Sequence, residues 1–157
     1  MNSTMQKISI EKVKESKIEQ VDFNNLAFGS VFTDHMLVCD YKNGAWETPK
    51  IIPYQPISLD PSAKIFHYGQ SIFEGMKAYK DTDEKVWLFR PLENHKRFNI
   101  SAKRMSIPEI PEEFFMEGLK TLLELENKWI PQTEGSSMYI RPFMFASGNG
   151  FHASPAD

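Results

Sequence analysis

His67-Tyr68-Gly69-Gln70-Ser71-Ile72-Phe73-Glu74-Gly75-Met76-Lys77-Ala78-Tyr79-Lys80 decides how this chain is read, and a polar tip carries it on into Lys85-Val86-Trp87-Leu88-Phe89. Gly75–Lys80 and Lys85–Phe89 are β-prone runs on either side of Asp81-Thr82-Asp83-Glu84, so the natural reading is a hairpin. Tyr68 and Phe73 stand across a turn from one another, and their simplest use is aromatic core packing. Lys77 and Lys80 read as strand residues that face solvent.

Downstream, Pro91 suits the first turn of a helix, where its missing N–H would have no partner anyway. His95, Phe98, Ala102 and Met105 then recur at helical spacing and mark one face for the core. Pro108 and Pro111 end that helix. A second begins at Pro111-Glu112-Glu113, with acids at the positive end of the helix dipole. Phe115, Leu119, Leu122 and Trp129 form its buried stripe, widened by Met116 and Leu123. Met138–Phe145 is expected as one further strand, and Ser147-Gly148-Asn149-Gly150 releases the chain into a loop.

Upstream, Val31, Met36 and Val38 place a strand within Ser30–Tyr41, turned at Lys42-Asn43-Gly44 and returned by Trp46–Gln55. Pro49, Pro53, Pro56 and Pro61 offer no ladder donors, which makes that stretch edge or loop. Residues 1–22 are polar and lysine-rich and read as a flexible arm, with the fold starting at residue 23. Strands and helices are segregated rather than alternating, so the expected class is α+β, an antiparallel or mixed sheet flanked by helices. No internal repeat interrupts it.

The chain has 157 residues, 41% of them apolar, which suits one domain with a core of ordinary depth. Its 18 basic and 21 acidic residues are interleaved and leave a formal charge of −3, so no positive field exists to grip nucleic acid. Cys39 is the only cysteine and reads as a small buried hydrophobe on a strand, with no internal disulfide open to it. The first twenty residues contain no signal-peptide pattern, and no window approaches the roughly 20 apolar residues of a membrane span. A cytoplasmic protein without membrane contact is expected.

Few residues carry chemistry on their own. His35, His67, His95 and His152 are too dispersed for a standard metal spacing, so no metal site is expected. A phosphate-cradling glycine run and a nucleophile elbow are both absent. Arg97 shares a polar helix stripe with Glu93, Ser101 and Arg104, and its bland reading is a solvated pair with Glu93. Tyr139 and Arg141 alternate along a strand and so share a face; if that face is inward, the arginine needs an anionic or hydrogen-bonded partner.

The runs His67–Lys80, Phe89-Arg90-Pro91-Leu92-Glu93-Asn94-His95-Lys96-Arg97-Phe98 and Tyr139-Ile140-Arg141-Pro142 together resemble the amino-terminal part of the branched-chain aminotransferases. These are pyridoxal-phosphate enzymes of fold type IV. The resemblance runs from about Phe28 to Ala153 and implies that residues 23–157 form the small domain of such an enzyme. The large domain, with the cofactor's Schiff-base lysine, is then expected beyond Asp157, leaving no catalytic residue in this chain.

On the same resemblance, Arg97 binds the phosphate of pyridoxal 5′-phosphate, a task its rigid fork of donors suits. Phe28, Tyr68 and Phe73 line the pocket for leucine, isoleucine or valine. Tyr139 and Arg141 meet the side-chain carboxylate of glutamate or 2-oxoglutarate. Phe151 and Ala153 belong to a loop that reaches the partner subunit of a homodimer. The implied activity is amino-group transfer from branched-chain amino acids to 2-oxoglutarate in amino-acid biosynthesis, with this segment alone inactive. Two alternatives stay open: a non-catalytic ligand- or partner-binding module of the same fold, and a related fold type IV enzyme such as a D-amino-acid aminotransferase.

Overall fold

The computed structural model describes residues 7–152. Three short strands make the first sheet: β1 (Ser9–Ile10) runs parallel to β5 (Lys50–Pro53), and β2 (His35–Val38) lies antiparallel on its other side. Between β2 and β5, β3 (Tyr41–Lys42) and β4 (Ala45–Trp46) close a hairpin. Asn43 and Gly44 both adopt positive φ at its tip, as a tight two-residue turn requires. A short helix α1 (Lys64–Tyr68) follows, capped by Gly69 in the left-handed region.

The deciding stretch then builds β6 (Ser71–Phe73) and β7 (Met76–Lys80). β7 pairs antiparallel with β8 (Val86–Leu88) around the expected tip. The Asp81 carboxylate organises that tip, accepting the N–H groups of Asp83 and Lys85 and the Trp87 indole N–H at 2.9, 2.8 and 2.6 Å. Two helices of equal length, α2 (Pro91–Arg104) and α3 (Glu112–Leu125), cover one side. β9 (Met138–Ile140) adds to the free edge of β7, and β10 (Phe143–Phe145) pairs with β6.

Alternation places Met76 and Ala78 inward and Lys77 and Tyr79 outward along β7. The inward residues meet Phe98 and Ala102 of α2 and Phe115, Leu119 and Leu123 of α3, with Ile72, Ile107, Ile130 and Met144 completing the core. Each fully buried large side chain there contributes about 1.5–3 kcal/mol. Asn99 and His95 tie α2 to the connection that follows. The Asn99 side chain accepts the Ile110 N–H at 3.0 Å and donates to its carbonyl at 2.9 Å.

Several local expectations differ from the structure. The single strand expected over Met138–Phe145 is two, because Pro142 has no N–H to continue the ladder and the chain changes partner there from β7 to β6. Within Ser30–Tyr41 only His35–Val38 and Tyr41 pair as strand, and Val31 is exposed. Met105 is the C-cap of α2 and largely outside the core, while Trp129 is buried from a 3-10 turn beyond α3. Cys39 follows β2 instead of lying in it and is half-buried. Burial first, then the charges of Asp40 and Glu47, pushes its thiol up to about 11.

Residues 8–18, part of the stretch expected to form a flexible arm, lie against the fold. Ile8 is buried, and the Val13 N–H donates to His35 Nε2 at 2.9 Å. The Ser16 hydroxyl and the Lys17 N–H donate to the Asp34 carboxylate at 2.5 and 3.2 Å, and the Trp129 indole reaches the same group at 3.2 Å. Polar side chains satisfied by tertiary partners hold this segment, a contact that hydrophobic periodicity does not register.

Candidate functional site

Ser71-Ile72-Phe73-Glu74-Gly75-Met76 carries the site, because it sends alternate side chains to opposite sides. Ile72, Glu74 and Met76 are buried, and Phe73 is exposed. A carboxylate among inward apolar residues must be matched by donors. Glu74 has four. The Gly75 N–H donates at 2.8 Å, Asn94 Nδ2 at 3.4 Å and Arg97 Nε at 2.8 Å, while Arg97 Nη2 donates in a second, short contact. Arg97 and the Gly75 and Asn94 donors hold the Glu74 pKa below the usual carboxylate range, against the opposing effect of burial.

Arg97 therefore pairs with a residue 23 positions away instead of with Glu93, whose partner is Lys96 at 2.9 Å. The Glu74 side chain is 3% exposed and that of Arg97 is 68%. Glu74 occupies the Nε side of the guanidinium, so the end-on fork of Nη1 and Nη2 keeps N–H donors for a further acceptor. That donor set, solvent-reachable and permanently cationic, fits a phosphate group.

Pro142 anchors the other end of the site. Its carbonyl accepts the Glu74 N–H at 2.8 Å, which fixes the break between β9 and β10 beside Gly75. Tyr139 and Arg141 lie on the exposed side of that break, opposite Met138 and Ile140, which pack on the core. The inward face considered for this pair is an outward one, set by the alternation that turns Met138 and Ile140 inward. Arg141 stands over the rings of Phe73 and Tyr139, 4.5 and 5.2 Å from their centroids, and its Nε donates to the Tyr139 hydroxyl at 3.2 Å. Phe28 meets Tyr139 edge-on at 5.1 Å.

Gly75 makes this arrangement possible. A methyl group there would overlap the Tyr139 hydroxyl and come within 3.1 Å of the ring carbon that bears it. Gly75→Ala should therefore turn the Tyr139 ring away, break its bond to Arg141 and cost about 1–3 kcal/mol by overpacking. Tyrosine ring NMR signals combined with thermal denaturation would show this, and an unchanged ring environment would count against the packing described.

Tyr68 joins a separate group. At the end of α1 its hydroxyl donates to the Phe151 carbonyl, and the His67 ring lies 4.9 Å edge-on from Phe151. The contacts thus place Phe28, Phe73, Tyr139 and Arg141 in one cluster and Tyr68 with Phe151 in another, with Arg97 joined to the first through Glu74 and Gly75. Ala153 lies outside the described residues. Among the described residues no group of three or more metal-ligating side chains occurs, and no helix is long and apolar enough to cross a membrane.

Glu74 and Asn94 were not singled out as functional in the sequence. The signal available was parity, since Glu74 is the one charged residue among positions 72, 74, 76 and 78, which all face inward.

No family model matches the chain. It is 51% identical over 145 residues to branched-chain-amino-acid aminotransferase 2 of Bacillus subtilis, a match covering 92% of this chain and 40% of that protein. Against branched-chain-amino-acid transaminase 1 of the same organism it is 52% identical over 130 residues, covering 82% and 36%. A probable branched-chain-amino-acid aminotransferase of Staphylococcus epidermidis matches at 50% over 143 residues, covering 90% and 39%. In fold, the chain is similar to a crystal structure of the Escherichia coli branched-chain amino acid aminotransferase, with a TM-score of 0.56 over 77% of this chain, 35% of that one and 24% identity. About half of the aligned residues are thus shared with several relatives, and the sheets and helices superpose on an α+β enzyme of the same name. Over most of its length the chain is thus similar to the branched-chain aminotransferases, and it spans about two fifths of the length of the curated relatives it matches.

Proposed function

We propose that this chain supplies the phosphate anchor and the substrate-selecting wall of a pyridoxal 5′-phosphate-dependent transaminase, cytoplasmic and homodimeric, that moves the amino group of leucine, isoleucine or valine to 2-oxoglutarate. The observation that carries the reading is Arg97, a guanidinium clamped on one side by a buried carboxylate with its end-on donors open to solvent. When bound, the cofactor supplies the electron sink that makes amino-group transfer between two acids possible.

The chain's own residues divide the remaining work. Arg97 holds the phosphate oxygens. Phe28, Phe73 and Tyr68 offer apolar surface to a branched side chain, where each buried methylene contributes about 0.8 kcal/mol. Arg141, fixed by Tyr139 and by the Phe73 ring, meets the side-chain carboxylate of glutamate or 2-oxoglutarate. Phe151 contributes to the contact with the second subunit.

A chimera tests the proposal. Placed in the Bacillus subtilis enzyme described above in place of the segment it matches, this chain should support leucine transamination, whereas the 157-residue chain alone should be inactive. In the chimera Arg141→Ala should raise KM for glutamate ~10-fold or more, the size of a lost charged hydrogen bond, and change that for leucine far less. Equal effects on the two donors would remove Arg141 from carboxylate recognition. An inactive, folded chimera would overturn the transaminase reading.

A further inference from the structure

Glu74 is built differently from an ordinary partner of a surface arginine. Its side chain is almost wholly enclosed, yet the arginine it binds is mostly in solvent. Its carboxylate is held by the Gly75 N–H and Asn94 as well as by Arg97, and its own N–H is fixed to the Pro142 carbonyl. The acceptor is therefore held by three contacts besides Arg97, and the solvent-exposed member of the pair is the guanidinium. Two N–H groups on the Nε side, bonded to both carboxylate oxygens, define the plane and direction of that guanidinium.

We infer that Glu74 is a positioning residue for Arg97, which aims the end-on fork of the guanidinium at a phosphate group. This rests on the reading of Arg97 as a phosphate anchor. Two effects of the carboxylate oppose each other. Its negative charge repels an arriving phosphate, and its grip removes the rotamer freedom that a long side chain otherwise loses on binding. If the grip dominates, removing the charge weakens phosphate binding; if Glu74 is only a structural neighbour, removing it strengthens binding or leaves it alone. The sign of the change decides.

The test titrates the isotopically labelled chain with inorganic phosphate and with pyridoxine 5′-phosphate, which carries the same phosphate ester but no aldehyde to react with lysines. Arg97 Nε–H is followed by NMR alongside. In the wild-type chain this proton should exchange slowly with solvent and shift on titration. Glu74→Gln should bind both probes ~10-fold more weakly and exchange the proton fast, with the backbone spectrum retained. Glu74→Asp, which keeps the charge but is too short to span both donors, should also bind weakly and serves if the glutamine variant does not fold. Unchanged or tighter binding by either folded variant would overturn the inference. Arg97→Gln is the separate control: if it leaves phosphate affinity untouched, the phosphate-anchor reading itself fails, whatever the Glu74 variants do. Weakening with pyridoxine 5′-phosphate but not inorganic phosphate would also overturn it, since the fork would then not act on the phosphate.

Discussion

Replacing His35 with alanine should cost about 3–5 kcal/mol of folding stability, the usual loss when one member of a buried polar pair is removed. His35 and Glu126 are both nearly inaccessible. His35 Nε2 accepts the Val13 N–H, which assigns the ring proton to Nδ1, and Nδ1 is the atom in short contact with the Glu126 carboxylate. The other carboxylate oxygen accepts the Asp34 N–H at 3.1 Å. The imidazole thus joins the docked residues 8–18 to the end of α3, and alanine leaves both a cavity and an orphaned acid.

The loss should grow with pH. Burial raises the Glu126 pKa above its ordinary 4.5, and the His35 contact works against that rise. Without His35 the folded-state value climbs further, so the folded state holds its proton more tightly than the unfolded chain does. For such an acid, stability is full below the unfolded value and is lost as pH rises through the folded one. Urea denaturation followed by Trp129 fluorescence, at pH 5 and pH 8, would measure this. A deficit that is small, or equal at the two values, would show that the pair does not hold the arm.

Arg97→Gln should lower phosphate affinity ~10–100-fold, since glutamine offers one uncharged donor group in place of a charged fork. A second consequence is that Glu74 loses the first of the influences that depress its pKa, and burial is then opposed only by the Gly75 and Asn94 donors. In the wild-type chain the depressed carboxyl contributes stability that is complete above about 4.5 and disappears as pH falls through the folded value. The variant should therefore be less stable than wild type at neutral pH and converge with it in acid. Thermal melts across that range would test this, and a gap that persists in acid would mean that the two residues are not coupled. Arg97→Lys, a point charge without the fork, should recover stability better than phosphate affinity.

Much of the scaffold was legible because its causes are local. Asp81 to Glu84 had to turn, Pro91 had to start a helix, and the spacing of Phe98, Ala102, Phe115 and Leu119 had to bury one face of each helix, whatever the rest of the chain did. The failures share a different cause. Pro142 split an apparently continuous strand because the two halves have different partners, and residues 8–18 docked through bonds to Asp34 and His35 that no periodicity encodes.

The same division runs through the candidate site. By itself the sequence determined the α+β class, the hairpin, the two helices and, through Phe73-Glu74-Gly75 and Lys96-Arg97-Phe98, the likeness to the branched-chain aminotransferases. Only the tertiary structure decided that Arg97 is held by Glu74 and not by Glu93, and that Tyr139 can settle against Gly75 because no methyl stands there. It also decided that Arg141 faces outward over Phe73. Turns and amphipathic faces follow from neighbours within a few residues, whereas a buried carboxylate takes its partner from whatever donors the packed chain brings within hydrogen-bond reach.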